Sequence, residues 1–304
     1  MEHDNRLDII PKKINSGASH DRLRDESELA SKIDTWLEYW STLYPDNKTV
    51  QEKLDHIDAT VWLAQEIDIA PEKKESLKLG VKWHDIGRFW QYQYIGSFDD
   101  RIVHHQDIGG EFFDRLQQSG EVPNGGAADI IATSIKYHGR NTDELGLSPE
   151  QQEFVDLITA IDRIQNSCMG AVNYLEREKS EDSKHYAWNM KMSYPNLTDE
   201  QVADEMKRVS PDVWENYQNQ AVFDKIKLCN TYADYFLFAI VLGLECLNSS
   251  DERVANLAKK AYLVRDEEGR SVLDKYENII NQHVDQTHSQ EAIDILKEAL
   301  AKIN

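Results

Sequence analysis

Cysteine is scarce in this chain of 304 residues. Its three cysteines, Cys168, Cys229 and Cys246, stand far apart and form no CxxC pair. That excludes a disulfide framework and a thiolate zinc site, and it suits a reducing, cytoplasmic compartment. Long apolar runs are missing as well. The longest, Tyr235 to Leu244, is about half of what a membrane span needs, so a buried core helix is expected there and no membrane partner. The amino end, Met1-Glu2-His3-Asp4, is polar and acidic and shows no secretory signal. Positive charge is in deficit: 34 Lys and Arg against 55 Asp and Glu give a net charge of -21. That balance argues against general affinity for nucleic acid or anionic membranes. An anionic substrate has to be held locally, by metal ions and arginines working against the field. No stretch alternates apolar and polar residues long enough to make a convincing strand, which leaves an all-α chain.

Apolar residues recur instead at helical spacing. Residues 1–25, with Pro11 and Ser16-Gly17-Ala18-Ser19, read as a flexible arm. Leu29, Ile33, Trp36, Leu37, Trp40 and Leu43 then mark a first helix, ended by Pro45-Asp46-Asn47. A second is expected from Val50 to Ile67, with Leu54, Ile57, Val61 and Ala64 inward and His56 at the edge of that face. Pro71-Glu72 opens a third in the preferred first-turn manner. It leads into Lys82-Trp83-His84-Asp85-Ile86-Gly87-Arg88, where His84 continues the stripe of Leu77 and Val81 and Gly87 is expected to end the helix.

The stretch from Phe89 to Arg101 is aromatic and expected to be irregular, a candidate pocket wall. Helices follow from Ile102 to Leu116, with His104 and His105, and from Ile130 to Tyr137, leading to His138. A strongly apolar helix from Phe154 to Gln165 carries Asp162. Residues 171 to 225 read as amphipathic helices packed on the outside, before an apolar helix from Tyr232 to Leu247. Further helices are expected at Val254–Tyr262, Ser271–His283 and Gln290–Ile303. The expected plan is thus the arm, a core over 26–170 and a C-terminal helical extension over 171–304 packed on it.

The informative residues are polar ones on otherwise apolar helix faces. They are His56, His84 with Asp85, His105 or its neighbour His104, His138 and Asp162. A single buried histidine is most often a hydrogen-bonded core residue. Six such groups on five successive helices, left uncompensated, would cost several kcal/mol each. A pair of divalent cations removes that cost. Four imidazoles, two carboxylates and no thiolate suit Mn, Fe, Co or Zn better than Mg or Ca.

The order His56, His84-Asp85, His105, His138, Asp162 resembles the HD superfamily of metal-dependent phosphohydrolases. The likeness is to bacterial members reading His84-Asp85-Ile86-Gly87-Arg88-Phe89 at the second motif, with a histidine four residues before a glycine, here His105 and Gly109, at the third. Ala160-Ile161-Asp162-Arg163 resembles the last motif, a helix ending Ala-Asp-Lys, and Ala233-Asp234-Tyr235-Phe236-Leu237-Phe238 is a weaker echo. Where the cyclic-dinucleotide branch carries Gly-Tyr-Pro, this chain has Tyr137-His138-Gly139-Arg140, which sets that branch aside. The resemblance implies an HD-domain helical bundle with additional C-terminal helices. It also implies one metal on His56, His84, Asp85 and Asp162, and a second, bridged by Asp85, on His105 and His138. The spacing to Gly109 favours His105 over His104.

Two such cations lower the pKa of a shared water and neutralise charge building on a phosphoryl group. Asp85 and Arg88 are then the candidate catalytic residues, and Arg88, Arg140 and Arg163 the candidates for holding the substrate phosphate. Trp83, Trp90, Tyr92, Tyr94 and Tyr137 either stack a nucleobase or fill the core. The expected function is hydrolysis of a phosphate ester or anhydride, with a nucleotide as the small-molecule substrate. A rival in the same fold is a mixed-valent di-iron oxygenase acting on a small polar substrate, which uses the same ligand set.

Overall fold

The computed structural model describes residues 22–98, 100, 102–170, 198–222, 228–229, 231–266 and 268–302. The chain is all-α, and no strand occurs among the described residues beyond one isolated bridge, Arg265 with Ser271. No helix is long and apolar enough to cross a membrane. Two compact units are formed, one ending at Asp162 and the other beginning at Arg163. Residues 1–21 of the arm expected over 1–25, and the stretch 171–197, lie outside the described residues, while residues 22–25 belong to the first helix.

Unit one is built from α1 (Arg22–Leu43), α2 (Lys48–Glu66), α3 (Pro71–Trp83), α4 (Ile86–Ile95), α5 (His105–Gln118), α6 (Ala127–Tyr137) and most of α7 (Pro149–Gln165). Local chemistry sets the boundaries. Asn47 caps α2 by accepting from the Val50 amide, 3.0 Å, and Pro71 takes the first position of α3, where its missing N–H costs nothing. Gly96 closes α4 in the left-handed conformation, φ +70°.

The segment expected to be irregular is largely this helix α4. Its aromatic residues face two ways: Phe89 and Trp90 point into the core, while Tyr94 is exposed. Gly87 does not end a helix but lies buried inside α4. The core joins α1 to α6 through Leu29, Ile33, Trp36, Trp40, Trp83, Phe112, Phe113 and Ile131. Each fully buried aromatic there contributes on the order of 2–3 kcal/mol by leaving water. Trp36, Trp40 and Trp90 keep indole N–H groups with no hydrogen-bond acceptor. They meet edge to face instead, Trp40 with Trp90 at 4.9 Å and Trp36 with Phe112 at 5.0 Å, which sets positive ring edges against negative faces. Trp83 and Trp90 are therefore core residues.

Unit two begins in the last turn of α7 and a π-helical turn, Asn166–Gly170. It continues with α8 (Asp199–Met206), α9 (Pro211–Gln218), α10 (Tyr232–Leu247), α11 (Glu252–Leu263), α12 (Val272–His283) and α13 (Gln286–Lys302). Reciprocal capping boxes start three of these, Thr198 with Gln201, Thr231 with Asp234 and Ser271 with Asp274. Helix α10 is the centre, and α9, α11, α12 and α13 all pack on it. Helix α9 is not merely an outer element: Val213 and Tyr217 are buried, and the Tyr217 hydroxyl donates to the Ala292 carbonyl at 2.8 Å.

Candidate metal centre

Two glycine contacts let the helices approach closely enough to bring the polar residues together. A Cβ on Gly87 would run into the His105 carbonyl oxygen and the Gly109 amide nitrogen, so α4 and α5 cross backbone to backbone. That crossing carries His105 to Asp85. A Cβ on Gly80 would run into the Ile158 side chain; one turn further along each helix stand His84 and Asp162. Between α3 and α4 the helix breaks at His84 and Asp85, and Asp85 leaves the helical conformation at φ -101° and ψ 13°.

The six sequence-selected residues converge. His56, His84, Asp85 and Asp162 form one group and Asp85, His105 and His138 a second, their donor atoms all lying within 4.8 Å of one another in each. Asp85 is common to both, one oxygen to each. Its Oδ2 is 3.3 Å from His56 Nε2 and 3.4 Å from His84 Nε2, while its Oδ1 is 3.1 Å from His105 Nε2 and 3.8 Å from His138 Nε2. Asp162 Oδ1 completes the first group, 3.2 Å from His56 and 3.5 Å from His84. All are buried except Asp162, whose side chain keeps 23% of its exposure. His104 is exposed at the start of α5, and its neighbour His105 is the member of the cluster.

Hydrogen bonds on the far nitrogens fix which way the imidazoles are protonated. His84 Nδ1 lies 2.5 Å from the Val81 carbonyl, and His138 Nδ1 lies 3.0 Å from that of Ser134. His105 Nδ1 faces Asp100 Oδ1 at 2.8 Å. Only a protonated Nδ1 bonds such acceptors, so in each neutral ring Nε2 is the bare nitrogen. His105 Nε2 and His138 Nε2 are nevertheless only 3.0 Å apart, and His56 Nε2 and His84 Nε2 3.4 Å. Lone pairs turned on one another and on carboxylate oxygens repel unless a cation lies among them. The residues present therefore fit a metal pair.

Two residues overlooked in the sequence belong to the surroundings. Lys53, one turn before His56 on α2, donates to Asp85 Oδ2 at 2.5 Å and is 14% exposed. Its i, i+3 spacing from His56 is the signal that would have revealed it. Asp100 accepts from His105 and, at 2.8 and 3.0 Å, from both ends of the Arg88 fork. Burial pushes the Asp85 carboxyl up, the Lys53 ammonium pulls it down, and the group lies well below the usual carboxylate range. Burial lowers His105, aided by the Arg88 charge. His56 moves upward, because Asp162 and Asp85 outweigh burial and Lys53.

The three arginines are all engaged. Arg88 pairs with Asp100 and Gln91, while its buried Nε has no hydrogen-bond partner and stands 3.7 Å from Asp85 Oδ1. Arg140 pairs with exposed Asp107 at 2.7 Å, and Arg163 pairs with Glu245. Comparison of the chain with protein-family models, curated proteins and solved structures returned no match.

Proposed function

We propose that the cluster holds two divalent transition cations, Mn, Fe, Co or Zn, and that the chain is a metal-dependent phosphohydrolase of the HD kind. The observation that carries this is the pair of facing, unprotonated nitrogens of His105 and His138, beside the close approach of His56 and His84, the two groups being joined by a carboxylate with one oxygen turned to each. A structural core pairs acceptors with donors; this one pairs acceptors with acceptors. When bound, such a cation pair supplies hydroxide at neutral pH and charge neutralisation at a phosphoryl group.

The protein's own part is to hold ligands and substrate. His56, His84 and Asp162 hold one cation, His105 and His138 the other, and Asp85 both. The substrate is a phosphate ester or anhydride, with a nucleotide as the reading that Arg140 and the neighbouring Tyr137 in the sequence favour. Arg140 offers the more accessible phosphate contact, since its partner Asp107 is exposed and exchanges readily with an anion. Arg88 reaches the cluster through Nε alone, its terminal nitrogens being taken. Arg163 serves only by leaving Glu245.

The test loads metal-free protein with each metal in turn and offers nucleoside mono-, di- and triphosphates and an aryl phosphate. Phosphate release that depends on metal is the expected result. No release with any metal would overturn the hydrolase assignment. Two irons per chain with dioxygen uptake and no phosphate release would move the chain to the di-iron oxygenases.

A further inference from the structure

We propose that Asp100 is a positioning residue for the second cation position, acting through His105; this rests on the metal reading above. Three imidazoles of the cluster have a visible partner on Nδ1, and the partners differ in kind. His84 and His138 donate to main-chain carbonyls, Val81 at 2.5 Å and Ser134 at 3.0 Å, whereas His105 donates to the Asp100 carboxylate at 2.8 Å. A carbonyl only fixes the tautomer. A carboxylate also draws the Nδ1 proton toward itself, which makes the far nitrogen a stronger ligand.

Asp100 is itself fixed from several directions. Its Oδ1 accepts from Arg88 at 3.0 Å, Gln91 at 3.1 Å and the His105 amide at 3.2 Å, and its Oδ2 accepts from Arg88 at 2.8 Å. Gln91 is fully buried and anchored in turn to the Val103 carbonyl at 2.7 Å. A carboxylate that only neutralised Arg88 would not need His105 on the same oxygen. The consequence is an asymmetry: the first cation position draws nothing from Asp100, while the second depends on it. Arg88, so placed, holds Asp100 in register with His105.

The experiment is a Co2+ titration of metal-free full-length protein, wild type beside Asp100→Asn and Asp100→Ala, followed by calorimetry and by the visible absorption of bound cobalt. Wild type takes two equivalents. Each variant keeps the first at unchanged affinity and loses about 10–100-fold on the second, with the corresponding absorption band shifted or lost. An unchanged second equivalent overturns the role given to Asp100 while leaving the metal reading intact. Equal weakening of both equivalents, with a lowered melting temperature, also overturns it by making Asp100 a general structural residue. Wild type taking no cobalt overturns the metal reading itself, and this inference with it.

Discussion

Each unit buries an aspartate, and the two are surrounded by opposite chemistry. Asp234 in unit two is fully buried and receives hydrogens: the Ser210 amide at 2.7 Å, the Ser210 hydroxyl at 2.6 Å and the Thr231 amide at 3.2 Å. Asp85 in unit one faces four imidazole nitrogens between 3.1 and 3.8 Å, with one lysine beside them. Polar side chains elsewhere in unit two follow the first pattern, as where the Ser167 hydroxyl meets the Tyr262 hydroxyl at 2.5 Å and Tyr276 donates to the Ser167 carbonyl. A carboxylate kept for stability collects donors. Asp85 gathers imidazole nitrogens that could hold a metal ion, and burial alone does not tell the two apart.

The largest expected effect separates these two aspartates. Asp85→Ala should abolish metal-dependent turnover and strip at least one metal, measured by elemental analysis of the purified protein. Asp234→Ala should leave metal content unchanged and lower unfolding free energy by about 1–3 kcal/mol, measured by chemical denaturation, because buried donors lose their acceptor. If both variants lose stability and neither loses metal, the distinction drawn between the units fails.

Next in size is Gly87→Ala. The new methyl group forces α4 from α5, at a cost of about 1–3 kcal/mol, and moves His105 away from Asp85. Metal titration should show the second equivalent weakened and the first retained.

Lys53→Met works the other way. Its ammonium competes for the Asp85 oxygen that faces His56 and His84. Removing the ammonium should raise affinity for the first cation and lower the melting temperature of metal-free protein, where the Asp85 carboxylate is left buried without its partner. A fall in affinity would mean that Lys53 assists binding. The smallest effect belongs to Arg140→Ala, which should change stability by no more than about 0.5 kcal/mol. If Arg140 holds substrate phosphate, KM should rise with metal content unchanged.

The clustered residues were legible because they break apolar stripes: His84 follows Leu77 and Val81, and Asp162 interrupts Val155, Leu157, Ile158 and Ile161. The all-α class followed from the same periodicity. Asp100 was not legible, since it sits outside any stripe in an acidic pair between two helices, where solvated carboxylates are common. Lys53 was hidden for a related reason, a lysine near the edge of an amphipathic helix being ordinarily a surface residue. Gly87 was misjudged because a glycine that ends a helix and one that admits a neighbouring backbone look alike in one dimension. Helix α4 was missed because its mixture of Trp, Tyr and Gln blurs the polar and apolar faces that Phe89 and Tyr94 take up in three dimensions.

The most direct measurement is an anomalous-difference map from crystals of the full chain soaked in Mn2+ or Co2+. Two peaks are predicted about 3.5–4 Å apart, one among His56, His84 and Asp162, the other between His105 and His138, with Asp85 touching both. Peaks only at surface carboxylates, or none while the imidazoles keep their present positions, would contradict the account.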